Sequence, residues 1–214
     1  MSNQKYQILE NQYLQYAHPV SRKIIKLFRI IALKEFESKI GIVHEGQIGG
    51  WIQSEVNLSQ NDSSWVWHTA KVFDSALLVD SSISEDAQIF GDSIITDSVV
   101  RDRAMIYGSC TVTNSLILDN SDVYGKNDLD DCSMKNGTRI SGNNQVSKTH
   151  LSEGAMISGF CKVRNSVLKD VCEIMGQSEI ENCQYAGRVV VKNAKKFNET
   201  ITNHPDLQVI HGEN

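Results

Sequence analysis

The residues that could carry chemistry in this chain are six histidines, five cysteines and a series of evenly spaced acidic residues. A histidine can act as a general base near neutral pH because its ordinary pKa lies in that range. The candidates are His150, in the stretch KTHLS, and His68. Whether either imidazole is a base or a solvent-exposed side chain depends on where the fold places it.

The cysteines and the acidic residues favour structural roles. Five is an odd number, and no two cysteines have CxxC spacing, which argues against a disulfide framework and a zinc site. This cysteine usage fits a reducing cytosol. The acidic series runs Glu85, Asp102, Asp119, Asn136, Glu153, Asp170. Stacked carboxylates could bind a divalent cation, but exposure to solvent makes their repulsion small, and we expect no metal site.

Glycines recur at a fixed spacing through the middle of the chain. They are Gly91, Gly108, Gly125, Gly142, Gly159 and Gly176, each 17 residues after the last. Self-similarity at a fixed period indicates a repeat architecture. Because glycine tolerates a positive φ angle, these residues are expected at one sharp corner of each repeat, with Asp and Asn at the other corners.

Large aliphatic residues recur in steps of six, six and five, as at Val66, Val72, Leu78 and Ile83. A small residue precedes most of them by two positions, and residues two apart on a strand share a face. Both therefore point inward, with an outward residue between them. Three short strands per repeat make a triangular coil, and stacked coils pair strand on strand. The prediction is an all-β, single-stranded parallel β-helix with seven or eight coils of 17 residues.

The same alternation resembles the hexapeptide-repeat left-handed parallel β-helix, the LpxA-like superfamily fold. The segment from Leu27 to Trp67 is similar to the start of YdcK-like β-helix proteins, through GGWI at 49–52 and NLSQ at 57–60 followed by WV. This resemblance covers roughly residues 24–180. It implies left-handed coils, and it places the chain beside proteins labelled as transferases because they share this fold.

The resemblance implies one candidate activity. Hexapeptide acyltransferases typically use a histidine as general base in a cleft between the subunits of a trimer, with an acyl carrier such as acyl-CoA beside it. His150 lies between inward Thr149 and Leu151 and must point outward, while His68 is placed at a corner. A solvent-exposed imidazole is the simpler interpretation, because the repeat places no carboxylate beside His150 and no protruding loop interrupts it.

Outward positions in the N-terminal half are apolar, whereas later coils carry Lys135, Lys162 and Glu179 there. The apolar set is Trp65, Trp67, Val99, Leu116 and Leu118 on one face and Phe73, Phe90, Tyr107 and Tyr124 on the next. Contiguous apolar surface usually marks a contact. Two interpretations stay open: residues 1–50 fold back over part of it, or it binds a protein, a small ligand or further copies of the chain, with a trimer favoured.

The ends of a β-helix expose strand edges that natural proteins cover. We therefore expect residues 1–50 to be a capping segment, 51–182 the β-helix, and 183–214 a last imperfect coil followed by a polar tail.

Composition narrows the functional classes. A chain of 214 residues with 40% hydrophobic content fits one domain, and a net charge of −5 argues against nucleic-acid binding by bulk charge. The N-terminus lacks a basic-then-apolar signal pattern and the apolar runs are short, so a cytoplasmic protein that does not span a membrane is expected.

Two functions remain. The leading hypothesis is a non-enzymatic, oligomeric binding or scaffold module without a cofactor, such as a phage or mobile-element protein that acts on a host protein or a small ligand. The alternative is a hexapeptide-type acyltransferase that uses acyl-CoA, with an outward histidine as general base.

Overall fold

Two β-hairpins precede a parallel β-solenoid of about nine turns in the computed structural model. Residues 4–212 are described, without the side chains of residues 203–205. The all-β class with stacked coils of 17 residues, expected from the spacing, is confirmed.

The segment before the coils is itself built of strands. β1 (Tyr6–Ala17) and β2 (Ile24–Ala32) pair antiparallel, and we call them the long hairpin. β3 (Phe36–Ser38) and β4 (Gly41–Val43) form the short hairpin. β5 (Ile48–Ile52) pairs antiparallel with β2 and parallel with the first coil, so the predicted capping segment already adds a strand to the solenoid. A short 3₁₀ helix (Glu55–Asn57) follows.

Three faces stack along the solenoid, and the strands are numbered in chain order. The first face contains β6 (Trp65–Val66), β9 (Ser82–Ile83), β12 (Val99–Val100), β15 (Leu116–Ile117), β18 (Ser133–Met134), β21 (His150–Leu151) and β24 (Val167–Lys169). The second contains β7 (Lys71–Val72), β10 (Gln88–Gly91), β13 (Met105–Gly108), β16 (Asp122–Gly125), β19 (Arg139–Gly142), β22 (Met156–Gly159) and β25 (Glu173–Gly176). The third contains β8 (Leu77–Val79), β11 (Ile94–Thr96), β14 (Thr111–Thr113), β17 (Asp128–Asp130), β20 (Gln145–Ser147), β23 (Lys162–Arg164), β26 (Glu179–Glu181) and β28 (Lys195–Phe197).

Each strand from β6 to β25 pairs in register with the strand 17 positions later, so one coil lies directly on the next, as Ile106 lies on Val123. The pairing of β26 with β28 is offset by 16 positions. The inward aliphatic residues make one continuous buried core along the axis. The corners have positive φ, for example 56° at Glu85, 51° at Asp97 and 106° at Gly125. The three predicted corner series therefore have the predicted backbone conformation.

Glycine is required for two reasons at the corner that Gly91 and its successors occupy. Its φ is positive, and a Cβ on Gly91 would lie 2.5 Å from the carbonyl oxygen of Gly108 in the next coil. Each glycine of the series except the last stacks on the following one in this way. From Gly91 to Gly159 this corner therefore has no room for a Cβ.

Polar ladders fill the small inward slots. The hydroxyl of Ser81 accepts the N–H of Ser98 at 3.0 Å, and Ser98 accepts that of Ser115 at 3.0 Å. Asn127 and Asn144, which are larger than the slot suggests, form a second ladder in which Nδ2 of Asn144 donates to Oδ1 of Asn127 at 2.8 Å. The serine hydroxyls, and Oδ1 of Asn127 through the backbone N–H of Asn144 at 3.1 Å, satisfy backbone N–H groups near the corners.

The start of the solenoid explains GGWI and NLSQ. A Cβ on Gly49 would lie 2.6 Å from side-chain atoms of Ile30 and Trp65, so only glycine fits. Buried Asn57 donates through Nδ2 to the carbonyls of Asp74 and Ala76 at 3.0 and 2.8 Å. Both motifs therefore pack the segment before the solenoid against its first coil.

The end of the chain differs from expectation. β27 (Gln184–Lys192) continues the first and second faces, and the 12-residue strand β29 (Thr200–His211) pairs parallel with it, where the sequence predicts a polar tail. Ile201 aligns with Tyr185 and Ile210 with Val191, so apolar residues continue the inward series. Strand pairing thus continues through residues 184–211.

Candidate functional site

Four aromatic rings form a continuous stack on the second face. Phe73, Phe90, Tyr107 and Tyr124 have successive centroid distances of 4.8, 4.9 and 5.1 Å and lie within 7° of parallel. In-register pairing of adjacent coils sets this spacing, so the outward orientation predicted for all four rings follows from the repeat.

The long hairpin covers the first half of this stack. Leu27, Phe73 and Phe90 form a buried cluster, with Tyr16 packed against it. Tyr16 also donates its hydroxyl to Oε1 of Gln88 at 2.7 Å. Phe73 is fully buried and Phe90 is 3% exposed, so these two rings contact the chain's own hairpin, which is the folding-back that the sequence left open.

His18 fastens the tip of the long hairpin to the first coil. Its Nδ1 accepts the N–H groups of Val20 and Ser21 at 3.1 and 3.0 Å, so the proton is on Nε2, which donates to Oδ2 of Asp74 at 3.0 Å. Oδ2 of Asp74 also accepts the N–H of Gly91 at 3.1 Å. The His18 ring meets the edges of Phe73 and Phe90, and we call this arrangement the His18 clamp.

The first face is covered in a similar way. Trp65 is fully buried against Tyr6 and Phe36, with ring centroids 6.5 and 5.6 Å away, and Trp67 is half-buried near Gly41 of the short hairpin. Buried Trp65 therefore contacts the chain itself. The indole N–H groups of Trp65 and Trp67 have no hydrogen-bond acceptor in the described part of the chain.

A buried lysine, unforeseen from the sequence, supports this cover. The ammonium of Lys5 donates to the carbonyls of Asp62 and Ser64 at 3.0 and 2.8 Å and to Oδ1 of Asp62 at 3.2 Å. Burial lowers the pKa of Lys5, against the opposing effect of Asp62. Its three N–H bonds are all used, which is the pattern of a structural ion pair.

Beyond the hairpins, apolar residues stay uncovered at two successive coils. On the second face these are the half-buried Tyr107 and Tyr124, and on the first face Val99, Leu116 and Leu118, of which Leu116 is 38% exposed. We call these five residues the uncovered belt. Burial raises the pKa of Tyr107, with Tyr124 and Asp122 acting in the same direction.

His150 points outward on the first face, as predicted, between Ser133 and Val167 of the adjacent coils. Two shallow depressions of about 300 and 340 Å³ meet at it, and Lys135 and Lys169 line the second. Within residues 4–212, no hydrogen bond to its imidazole is formed, whereas His18 and His44 each contact a carboxylate. His68 lies at a corner with φ of 49°, and its carbonyl accepts Nη1 of Arg29 at 2.6 Å.

The acidic corner has a backbone role that its spacing did not reveal. Oδ2 of Asp102 accepts the N–H of Asp119 at 3.2 Å, and Oδ2 of Asp119 accepts that of Asn136 at 2.9 Å. These two carboxylates thus satisfy the corner N–H of the next coil. In the described ranges, no group of three or more His, Cys, Asp or Glu side chains is placed to hold a metal ion.

All five cysteines are buried and unpaired, four of them in the predicted inward slots and Cys183 in the same register. Burial raises the pKa of the Cys132 and Cys172 thiols to about 12. Such thiols stay protonated at neutral pH and pack as small apolar side chains.

A further concavity lies outside every predicted site residue. It is a groove of about 880 Å³ beside β1, where the register shifts between Leu9 and Tyr13, and it is lined by Ile8, Phe28 and polar side chains that include Glu10 and Lys26. No periodic signal marks this segment, so the sequence does not reveal the groove.

Over residues 4–212, no helix is long and apolar enough to cross a membrane. Neither a family model nor a curated protein matches this chain. The assignment of function therefore rests on the geometry of its surfaces.

Proposed function

We propose that this protein is a non-enzymatic binding or scaffold module that acts as a homo-oligomer and binds its partner through the uncovered belt. The observation that carries the proposal is the aromatic stack. Its first half is sealed by the long hairpin, whereas Tyr107 and Tyr124 continue the same stack without cover.

The physical basis is the difference between the two halves. Phe73 and Phe90 lose their contact with water inside the chain, while the next two rings keep part of theirs. Stacked, rigid rings offer large contact area with little loss of side-chain entropy, which is why tyrosine is frequent at binding surfaces. Val99, Leu116 and Leu118 extend the apolar area to the first face.

The partner in this proposal is another copy of the chain, a protein or a small ligand held between subunits. The resemblance to left-handed β-helix proteins, YdcK-like in its GGWI and NLSQ motifs, favours three subunits. A phage or mobile-element protein that occupies a host protein would use a surface of this kind.

The test is replacement of both rings. Tyr107→Lys with Tyr124→Lys should abolish partner or subunit binding and keep the β-rich circular dichroism spectrum, because both side chains point outward. Phe160→Lys with Val171→Lys is the matched control, since Phe160 and Val171 are exposed apolar residues at corners. Native mass spectrometry of each purified variant reports subunit count and retained ligand together. An unchanged subunit count and ligand in the tyrosine variant would contradict the proposal.

The depressions at His150 favour a second candidate, an acyltransferase with His150 as general base and acyl-CoA held near Lys135 and Lys169. General-base catalysis contributes typically 10²–10⁴-fold to rate. Under our proposal, calorimetry with acetyl-CoA gives no binding heat. Saturable binding that His150→Ala retains, together with loss of acyl transfer in that variant, would establish the enzyme instead.

A further inference from the structure

We propose that a second copy of this chain docks on the third face, with the two solenoids packed face to face and their axes antiparallel. This contact uses none of the uncovered belt, so it is independent of the function proposed above.

The third face is a sheet of eight parallel strands in register. Its outward residues form two straight columns. The first column runs Leu77, Ile94, Thr111, Asp128, Gln145, Lys162, Glu179, Lys195, and the second Val79, Thr96, Thr113, Asp130, Ser147, Arg164, Glu181, Phe197. Ile94 and Phe197 are 44% and 51% exposed, so the surface is open near both ends.

Charge is segregated by coil along these columns. An acidic pair, Asp128 and Asp130, is separated from a basic pair, Lys162 and Arg164, by one neutral coil that carries Gln145 and Ser147. Within the described residues, the side chains of these four charged groups form no ion pair, whereas Glu179 on the same face contacts Lys195 at 3.6 Å. Two rows of opposite charge are therefore available to a partner.

Two copies can face each other about a two-fold axis in two ways, and charge decides between them. If the axis runs along the strands through Gln145 and Ser147, coil order reverses, so Asp128 and Asp130 of each copy face Lys162 and Arg164 of the other. If the axis runs along the solenoid, each column faces the opposite column at the same level, so Asp128 would face Asp130. Like charges directly opposite destabilise a contact, and complementary rows stabilise it and fix its register.

The side chains at the axis suit the antiparallel arrangement. A depression of about 190 Å³ lies at Gln145 and Ser147, with Asp130 and Arg164 at its edges. Facing Gln145 amides can exchange hydrogen bonds, because each amide carries a donor and an acceptor. A short Asp opposite a long Lys or Arg spans the roughly 10 Å between stacked sheets.

The contact is of moderate size. Seven overlapping strand rows about 4.8 Å apart, each presenting roughly five residues of about 3.3 Å, bury on the order of 500 Å² per copy. A total on the order of 1,000 Å² is at the lower limit for specific interfaces. The dimer should therefore depend on protein concentration and weaken with added salt.

Charge reversal tests the pairing. In the Tyr107→Lys, Tyr124→Lys background, which removes association through the uncovered belt, Asp128→Lys with Asp130→Lys should raise the dimer dissociation constant by about tenfold or more in sedimentation equilibrium, because attraction becomes repulsion. Combining it with Lys162→Asp and Arg164→Asp should restore the value of that background. Glu10→Lys with Glu45→Lys, exposed residues away from this face, makes the same change in net charge and should have no effect.

A cysteine cross-link tests the geometry, and every native cysteine is buried. Ser147→Cys should be joined to its own copy by a short bis-maleimide reagent, since the two copies of residue 147 face each other across the roughly 10 Å between the sheets, which is too far for a direct disulfide. Thr113→Cys, in the same column but two coils away, should stay monomeric on a denaturing gel after the same treatment, because its copies lie roughly 19 Å apart along the solenoid axis.

Three results would overturn the proposal. They are a Tyr107→Lys, Tyr124→Lys chain that sediments as a monomer at about 100 µM in low salt, failure of the fourfold charge swap to restore dimerisation, and equal cross-linking of the two cysteine variants. The tyrosine variants of the uncovered belt leave this contact intact, so failure of one proposal is distinguishable from failure of the other.

Discussion

At the scale of single residues, Gly125 and Gly137 separate two effects that usually occur together, the backbone cost of a positive φ and a steric clash with the next coil. Gly125 has a φ of 106°, and a Cβ there would overlap the carbonyl oxygen of Gly142, whereas Gly137 has a φ of 75° and no atom within 4 Å of such a Cβ. Gly137→Ala carries only the backbone penalty, about 1 kcal/mol. Gly125→Ala adds the clash between coils and should lower the free energy of unfolding by about 2–3 kcal/mol. Urea titration of both variants measures the difference, and equal losses would mean that stacking does not restrict the corner.

The buried thiols predict a pH dependence. Burial raises the pKa of Cys132 and Cys172 from near 9 to about 12. An unfolded thiol loses its proton above about pH 9 while the folded thiol keeps it, so the stability that these thiols contribute is lost as pH rises through that window. Cys132→Ala with Cys172→Ala should therefore show a smaller fall in melting temperature between about pH 8 and pH 10.5 than the wild type. Parallel curves for the two proteins would argue against the expected titration.

The sequence predicts such residues well where the repeat dictates their surroundings. The inward slots of Cys132 and Cys172, the positive φ of Asp97 and the outward position of His150 all follow from the period. The roles of Asp102 and Asp119 do not, because the acceptor of an N–H group in the next coil depends on side-chain torsions that spacing leaves undetermined.

At the scale of elements, the long hairpin decides which apolar residues are available to a partner. Its strands have no 17-residue period, and its position over Phe73 and Phe90 results from tertiary contacts of Tyr16, His18 and Leu27. Sequence periodicity could therefore predict the aromatic stack but not that the long hairpin buries Phe73 and Phe90 and stops before Tyr107. The position where the hairpin ends decides which rings belong to the candidate site.

The His18 clamp can be tested against an exposed histidine. His18→Ala removes the bond to Asp74 and the ring contacts with Phe73 and Phe90, so the hairpin tip should open and protease cleavage near Arg22 should increase several-fold while the solenoid persists. His44→Ala is the control, because the His44–Glu35 pair is exposed and contributes at most about 1 kcal/mol. Limited proteolysis with trypsin measures the effect, and equal cleavage of both variants would argue against a clamp.

At the scale of the whole molecule, each coil contacts mainly its neighbours, so the solenoid should tolerate loss of one complete coil. Deleting residues 126–142 joins Gly125 to Asn143 and preserves every inward position, because the deletion equals the repeat of 17 residues. The shortened chain should keep a β-rich circular dichroism spectrum with a modestly lower melting temperature.

Deleting residues 127–142 instead is the matched control. The shift of one residue exchanges inward and outward side chains at the junction, and this variant should fail to fold. If both deletions fold equally well, the stacking of coils does not depend on the register described here.

The one-to-one stacking of coils also has a mechanical consequence. When the chain is pulled from its C-terminal end, the last coil should unfold first, because it pairs with only one neighbouring coil whereas each earlier coil pairs with two. Each coil that comes loose releases 17 residues. At about 3.3–3.6 Å per residue, that is roughly 55–60 Å of slack. The molecule should therefore lengthen under force in even steps. The first two coils should unfold last, because the His18 clamp contacts Asp74 in one of them and Phe90 in the next.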